Sequence, residues 1–286
     1  MPTVNSSMQG KICMVTGANS GIGKATALAL AQMGATIVMV CRDRARGEEA
    51  RSEIITKSGN NAVDLLQADL SSQQSIRQLV ENFQRHYTHL HVLINNAGAG
   101  AAFTGRRETV DGVEMTFAVN YLAPFLLTHL LLDVLKASAP ARIVNVSSNS
   151  HEAGYIKLDD LQAEKHYRRA YEQSKLALVL FTYELARRLQ GTGVTANCLH
   201  PGFVATNFGQ RDVEPAVRLL VKLIGGFGAS PEKGAKTSIY LASSPEVEGV
   251  TGNYFVKSIP RRSAAISYDE SLQRQLWKQS AKLVNL

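Results

Sequence analysis

Residues 16–23 read Thr-Gly-Ala-Asn-Ser-Gly-Ile-Gly, between the apolar run Ile12–Val15 and the amphipathic stretch Ile22–Gln32. Gly17, Gly21 and Gly23 are spaced G-x3-G-x-G. Glycine permits the positive-φ turns and close backbone approach that such a connection needs, but turns use glycine freely, so the pattern alone is weak evidence. The context is what gives it weight: a strand before it and a helix after it are what a dinucleotide-binding turn requires. A pyrophosphate then sits on the amides at the helix N-terminus. Gly17, Asn19, Ser20, Gly21, Ile22 and Gly23 are therefore candidate cofactor-binding residues. A plain strand–helix turn is the competing reading.

Working outward, short apolar runs alternate with helical patterns along the whole chain. The strand-like runs are Ile12–Val15, Thr36–Val40, Val63–Gln67, Val92–Ile94, Arg142–Val146, Val194–Leu199 and Tyr254–Val256. They are near-continuously apolar, as parallel strands covered on both faces should be. Helical stretches are Ile22–Gln32, Arg44–Thr56, Gln73–Gln84, Val110–Lys136, Ala170–Leu189 and Glu232–Ala242. The alternation predicts an α/β fold: one Rossmann-type, doubly wound domain spanning 1–286, with a seven-stranded, mostly parallel sheet and helices on both faces. A last amphipathic stretch, about 268–283, reads as a helix docked on the body. Residues 207–230 combine apolar side chains with Gly225, Gly226 and Gly228, and read as a substrate lid or as a segment packed on the core.

Bulk properties exclude several classes. The chain has 286 residues, 45% of them hydrophobic, and a formal charge of +7. Basic residues cluster without interleaved aromatics, so no nucleic-acid partner is expected. No unbroken apolar run of membrane-spanning length occurs, so no transmembrane segment is expected. Met1–Gly10 is polar and lacks a secretion signal's apolar centre. Cys13, Cys41 and Cys198 form no pair, which suggests reduced thiols and a cytoplasmic protein. Peripheral membrane contact and homo-oligomerisation are both compatible with this composition. His86, His89 and His91 lack metal-ligand spacing, so no metal is expected.

Residues 171–175, Tyr-Glu-Gln-Ser-Lys, place a phenol and an ammonium on one helix face. A lysine cation beside a tyrosine favours the phenolate, so Tyr171 is expected to exchange a proton far below its ordinary pKa. After the second strand, where an acid would bind the ribose hydroxyl of NAD, stands Cys41-Arg42. Arg42 suits a 2′-phosphate, with Lys24 and Arg44 adding positive charge, which points to NADP(H). Asp69 and Leu70 end the third strand beside the expected adenine. Asp69 either accepts from the adenine amino group or caps the next helix, and the two roles are compatible. Asn96, Ala97 and Gly98, after Asn95, form a small-residue wall along the cofactor path.

Together these residues resemble the short-chain dehydrogenase/reductase family over almost everything from Gly10 to Phe255. The motifs are TGANSGIG (16–23), NNAG (95–98), Asn120 in FAVNYLAP, NVSS (145–148), YEQSK (171–175) and PGFVAT (201–206). Within the family, the stretch 142–167, the segment 174–189 and the Leu276-Trp277 tail resemble the retinol dehydrogenase-like branch. The resemblance implies a general acid/base at Tyr171 and a lysine, Lys175, that lowers its pKa and holds the nicotinamide ribose. Ser148 would hydrogen-bond the substrate oxygen, with Ser147 as the competing serine. Asn120 would kink its helix and hold a water linking Lys175 to solvent. Thr206 would hold the carboxamide or pyrophosphate, with Pro201 and Gly202 opening its loop. His151 is expected to lie in the pocket or on a loop. The implied activity is NADP(H)-dependent hydride transfer with a lipophilic alcohol, aldehyde or ketone. The other readings are a catalytically idle NADP-binding scaffold and a sugar-nucleotide epimerase.

Overall fold

The computed structural model describes residues 7–100, 106–162, 169–203 and 229–286. Strands β1 (Ile12–Thr16), β2 (Thr36–Cys41), β3 (Val63–Gln67), β4 (Val92–Asn95), β5 (Ala141–Val146), β6 (Val194–His200) and β7 (Tyr254–Val256) lie parallel. Their order is β3-β2-β1-β4-β5-β6-β7, and β8 (Ile259–Arg261) extends the sheet antiparallel to β7. The helices are α1 (Gly21–Gln32), α2 (Arg44–Ser58), α3 (Gln73–His86), α4 (Met115–Ala137), α5 (Ala170–Arg188), α6 (Pro231–Ser243) and α7 (Glu270–Leu283).

The continuous apolar strands have a direct cause. Cys13 and Val15 of β1 face a core shared with Ala27 and Leu30 of α1 and Ile54 of α2. Met14, between them, faces the opposite core with Phe83 of α3, Leu126 of α4 and Leu180 of α5. Alternate residues thus serve opposite faces, and both faces are dry.

Two expectations are corrected. Among the described residues the sheet has eight strands, not seven. Lys257 and Ser258 both take positive φ (52° and 62°), which turns the chain back in two residues to form β8. Such hairpins normally carry Asn-Gly or Asp-Gly, and Lys-Ser gives no such signal. Pro260 sits on this exposed edge, where a missing N–H costs no ladder bond. The second correction concerns α4, which starts at Met115 and not at Val110. Residues 109–113 close a turn through Thr109 N–H to Val113 O (2.8 Å), with Gly112 at φ 71° and Val110 87% exposed. Glu114 then caps the helix, accepting from the amides of Thr116 and Phe117 at 2.9 and 2.7 Å.

Among the described residues, α4 is the one helix long and apolar enough to cross a membrane by length and composition. Its mean hydropathy is 1.5, and 67% of that window is buried within the protein. Asn120 and Thr128 interrupt the apolar run, which is why no unbroken stretch marks it in the sequence. The expected lid, 207–230, lies outside the described residues except at its last two positions.

The C-terminal helix is integral to the core. Trp277 of α7 packs edge-on against Phe125 of α4 at 5.2 Å, and the Arg188 guanidinium lies 4.2 Å from its ring centroid. Leu276 is fully buried beside it. Leu276→Ala should therefore cost about 2–5 kcal/mol of unfolding free energy in a denaturant titration. Ile259→Ser, on the exposed β8 edge, should change it by about 0.5 kcal/mol or less. Equal effects would place α7 outside the cooperative core.

Candidate active site

The chain leaves β1 for β2 on one side of the sheet and β4 for β5 on the other, so a crevice opens above the ends of β1 and β4. The Thr16 hydroxyl fastens its floor, accepting from the amides of Asn96 and Ala97 at 2.9 and 3.0 Å. The Asn96 side chain returns a bond to Thr16 O at 2.8 Å. Gly17 and Gly21 occupy positive φ, at 68° and 56°. A Cβ at Gly23 would lie 2.4 Å from Gly17 O and 2.5 Å from Asn96 Nδ2, so only glycine fits there. Above this packed turn, α1 begins after Asn19 and Ser20 with no acid in its first turn. Its amides and dipole favour an anion. These residues fit the pyrophosphate of a dinucleotide.

The rim after β2 is selective in its charges. Lys24 is bonded to Glu53 at 2.7 Å, so it is held toward α2. Arg46 is paired with Asp43, the N-cap of α2. Arg42 and Arg44 are exposed, and the Arg42 carbonyl accepts from Gln67 Nε2 at 3.1 Å. Asp69 holds the turn before α3, accepting from the amide and hydroxyl of Ser71 at 3.0 and 2.7 Å, while Ser72 caps the helix. Leu70 packs against the α3–α4 core.

Four side chains meet beyond β4 and β5. In α4, Ala118–Leu122 form a π-turn, a local widening of the helix. It carries Asn120, which accepts from Ala99 N–H at 2.7 Å and donates to Ala99 O and Ser174 Oγ at 2.9 and 3.0 Å. The expected helix distortion is present. Both of its side-chain N–H donors are used within the protein. Ser174, which sequence reading passed over, joins Asn120 to the tyrosine helix through Tyr171 O at 2.7 Å.

The paired serines divide their roles. Ser147 points into the core and donates to Lys175 O at 3.0 Å. Ser148, 9% exposed, begins the 3-10 turn Asn149–Ala153 and hydrogen-bonds Tyr171. Lys175 is 4% exposed and donates to Val146 O at 2.9 Å, with its ammonium 5.7 Å from the Tyr171 ring centroid.

The electrostatics correct a further expectation. Burial raises the Tyr171 phenol above its ordinary pKa, the Ser148 bond opposes this, and Glu172 adds to it. Burial lowers Lys175 to about 8. In this dry site desolvation outweighs the attraction assumed from spacing alone, and both groups are held toward their neutral forms. His151 follows Ser148 closely. It lies in the 3-10 turn after β5, as a loop residue, but is wholly buried and bonded to Ser148 O and Ala264 N. Pro201 and Gly202, the latter at φ 88°, directly follow β6. Thr206 lies outside the described residues. Among the described residues, no three His, Cys, Asp or Glu side chains gather to hold a metal.

The short chain dehydrogenase family model matches residues 11–216. The chain belongs to the short-chain dehydrogenase family. Human retinol dehydrogenase 14 is 46% identical over 98% of this chain and 88% of its own. Human retinol dehydrogenase 11 is 45% identical over 98% and 87%. These relatives place this short-chain dehydrogenase in the retinol dehydrogenase-like branch. An uncharacterised Mycobacterium paratuberculosis protein superposes with TM-score 0.78 at 31% identity, covering 98% of this chain and 95% of that one. A Pseudomonas aeruginosa RhlG/NADP active-site complex has TM-score 0.70 at 28% identity, covering 89% and 97%. As a short-chain dehydrogenase, the protein is an oxidoreductase that transfers hydride with a nicotinamide cofactor.

Lys175 supplies a stability test. Its folded pKa lies below the value of 10.5 it has when exposed, so the unfolded state binds more protons between about 8 and 10.5. Folding therefore carries a cost that is complete below pH 8 and fades as pH rises through 10.5, about 3 kcal/mol at most. Lys175→Met should be at least as stable as wild type at pH 7, with the advantage shrinking above pH 8 in thermal melts. A variant much less stable at pH 7 would mean that the ammonium is compensated by contacts not seen here.

Proposed function

We propose that this short-chain dehydrogenase is an NADP(H)-dependent alcohol dehydrogenase and carbonyl reductase for lipophilic, retinoid-like alcohols and aldehydes. The observation that carries the reading is the Ser148–Tyr171 hydrogen bond, with the Lys175 ammonium 5.7 Å from the tyrosine ring, at the mouth of the β1/β4 crevice. The bound nicotinamide supplies or takes up the hydride. Ser148 hydrogen-bonds the substrate oxygen, and Tyr171 gives that oxygen a proton in reduction or removes it in oxidation. Burial keeps the phenol protonated at neutral pH, which suits the reductive direction. Lys175 stands behind the ring to stabilise the phenolate that reduction leaves. Gly17, Asn19, Ser20, Gly21, Ile22 and Gly23 hold the pyrophosphate, while Asn96, Ala97 and Gly98 flank its path.

Preference for NADP(H) rests on Arg42, exposed at the exit of β2 beside the neutral, buried Cys41. The RhlG/NADP complex and the names of the relatives support the cofactor and the substrate class. Phe203, 70% exposed just after β6, offers an apolar surface to a long substrate. The three buried free thiols fit a reducing, cytoplasm-like compartment.

Tyr171→Phe should lower the rate of retinaldehyde reduction by about 10² to 10⁴ while NADPH binding stays close to wild type. Activity near the wild-type level would remove Tyr171 from the chemistry. Arg42→Ala should weaken NADPH binding by about tenfold or more and leave NADH nearly unchanged, since a charge-assisted bond is worth roughly 1.5–3 kcal/mol. Adding Cys41→Asp should turn preference toward NADH. Unaltered preference would assign the phosphate to Arg44.

A further inference from the structure

The peptide unit joining Ser148 to Asn149 is held on both of its polar ends by imidazoles from different parts of the chain. Its carbonyl, Ser148 O, accepts from His151 Nδ1 at 2.6 Å. Its N–H, on Asn149, donates to His200 Nδ1 at 3.2 Å. His151 lies in the 3-10 turn after the serine, and His200 is the last residue of β6.

The partners fix the tautomers. His151 Nε2 accepts from the Ala264 amide at 3.1 Å, so it carries no hydrogen and the ring proton resides on Nδ1. His200 Nδ1 accepts, so in the neutral ring its proton is on Nε2. The two histidines are thus opposite tautomers, one a donor to the peptide and the other an acceptor from it. Burial lowers both below the ordinary histidine range, favouring the neutral rings this pattern needs. The His151 ring is wholly buried, 4.8 Å from the Tyr254 ring.

The position of this peptide matters because strand pairing stops just before it. Ser147 N–H still bonds across to Leu199 O at 2.8 Å, and Ser148 is the first residue beyond the ladder. On one side Ser148 is fixed by the strand. On the other, the plane that sets its ψ of 157° is held by the two rings together with the His151 amide, which bonds Ser148 O at 3.2 Å. We infer that His151 and His200 are a tautomer-matched pair of positioning residues that lock the Ser148–Asn149 peptide plane and so aim the Ser148 hydroxyl at Tyr171 and the substrate oxygen. This inference rests on the functional reading above, in which Ser148 holds that oxygen.

Substitutions separate the two bonds of His151. An asparagine amide falls near Nδ1 and restores the donor to Ser148, whereas a glutamine falls near Nε2 and restores only the acceptor for Ala264. With NADPH and retinaldehyde, His151→Gln and His200→Phe should each lower kcat by about tenfold, with KM for NADPH changed by about twofold at most. His151→Asn and His200→Asn should recover kcat to within about threefold of wild type. In a Ser148→Ala background, His151→Gln should cost about twofold or less, because the group it aims is gone. An equal loss in both backgrounds, or no recovery with asparagine, overturns the inference. Nitrogen-15 NMR of wild-type protein tests it without activity. His151 should be the Nδ1–H tautomer and His200 the Nε2–H tautomer, and the reverse for either overturns it. Full activity of Ser148→Ala, or no carbonyl turnover by wild type, would instead overturn the functional reading on which it rests.

Discussion

The site depends on how the ends of β1 and β4 are tied at the point where the chain turns away in opposite directions. Left alone, the divergence would expose strand-end amides in a cleft. The Thr16 hydroxyl closes it by accepting from two successive amides, Asn96 and Ala97, while Asn96 bonds back to Thr16 O. The fit is so close that Gly23 has no room for a Cβ. The glycine turn and the NNAG segment therefore behave as one rigid floor. Unpaired polar groups at this depth would cost roughly 1–3 kcal/mol each, so the bonds specify geometry as much as they add stability.

Above that floor the dominant force is desolvation. Tyr171 and Lys175 are carried on α5, a helix buried almost all round. Burial pushes the phenol up and the ammonium down, the reverse of what two adjacent, solvated groups would do. A protonated tyrosine bonded to Ser148 is the resulting ground state. Among the described residues, the ammonium donates to one backbone carbonyl, Val146 O. That leaves the site poised to respond strongly to any charge developing on the tyrosine, because the surroundings are dry.

Around the reacting groups runs a layer of polar side chains that hold backbone and not ligand. Asn120 ties Ala99 to Ser174, Ser147 ties β5 to α5, and His151 ties the serine turn to the C-terminal segment at Ala264. Asn95, Asn145 and Thr182 continue the layer beneath, with bonds of 2.8 and 2.9 Å. Each joins elements far apart in the chain, so the site's precision is a property of the whole sheet.

What the sequence decided by itself is what local chemistry can decide. Apolar runs of strand length, alternating with helical patterns, demanded a parallel sheet covered on both faces. Gly17, Gly21 and Gly23 marked the turn because no other residue tolerates their φ or their spacing. Tyr171 and Lys175 lay one helical turn apart, so their meeting was legible. Tertiary structure alone decided the rest. The two-residue reversal at Lys257–Ser258 carries no turn signature, so β8 was hidden. The start of α4 was set by Glu114 capping and not by hydrophobic period. Whether Ser147 or Ser148 faces the tyrosine depended on which side of β5 each left. The sign of the tyrosine's pKa shift depended on burial, a quantity fixed only once α5 was packed. The imidazoles of His151 and His200 come from a turn and a distant strand, and only the folded sheet brings them to one peptide.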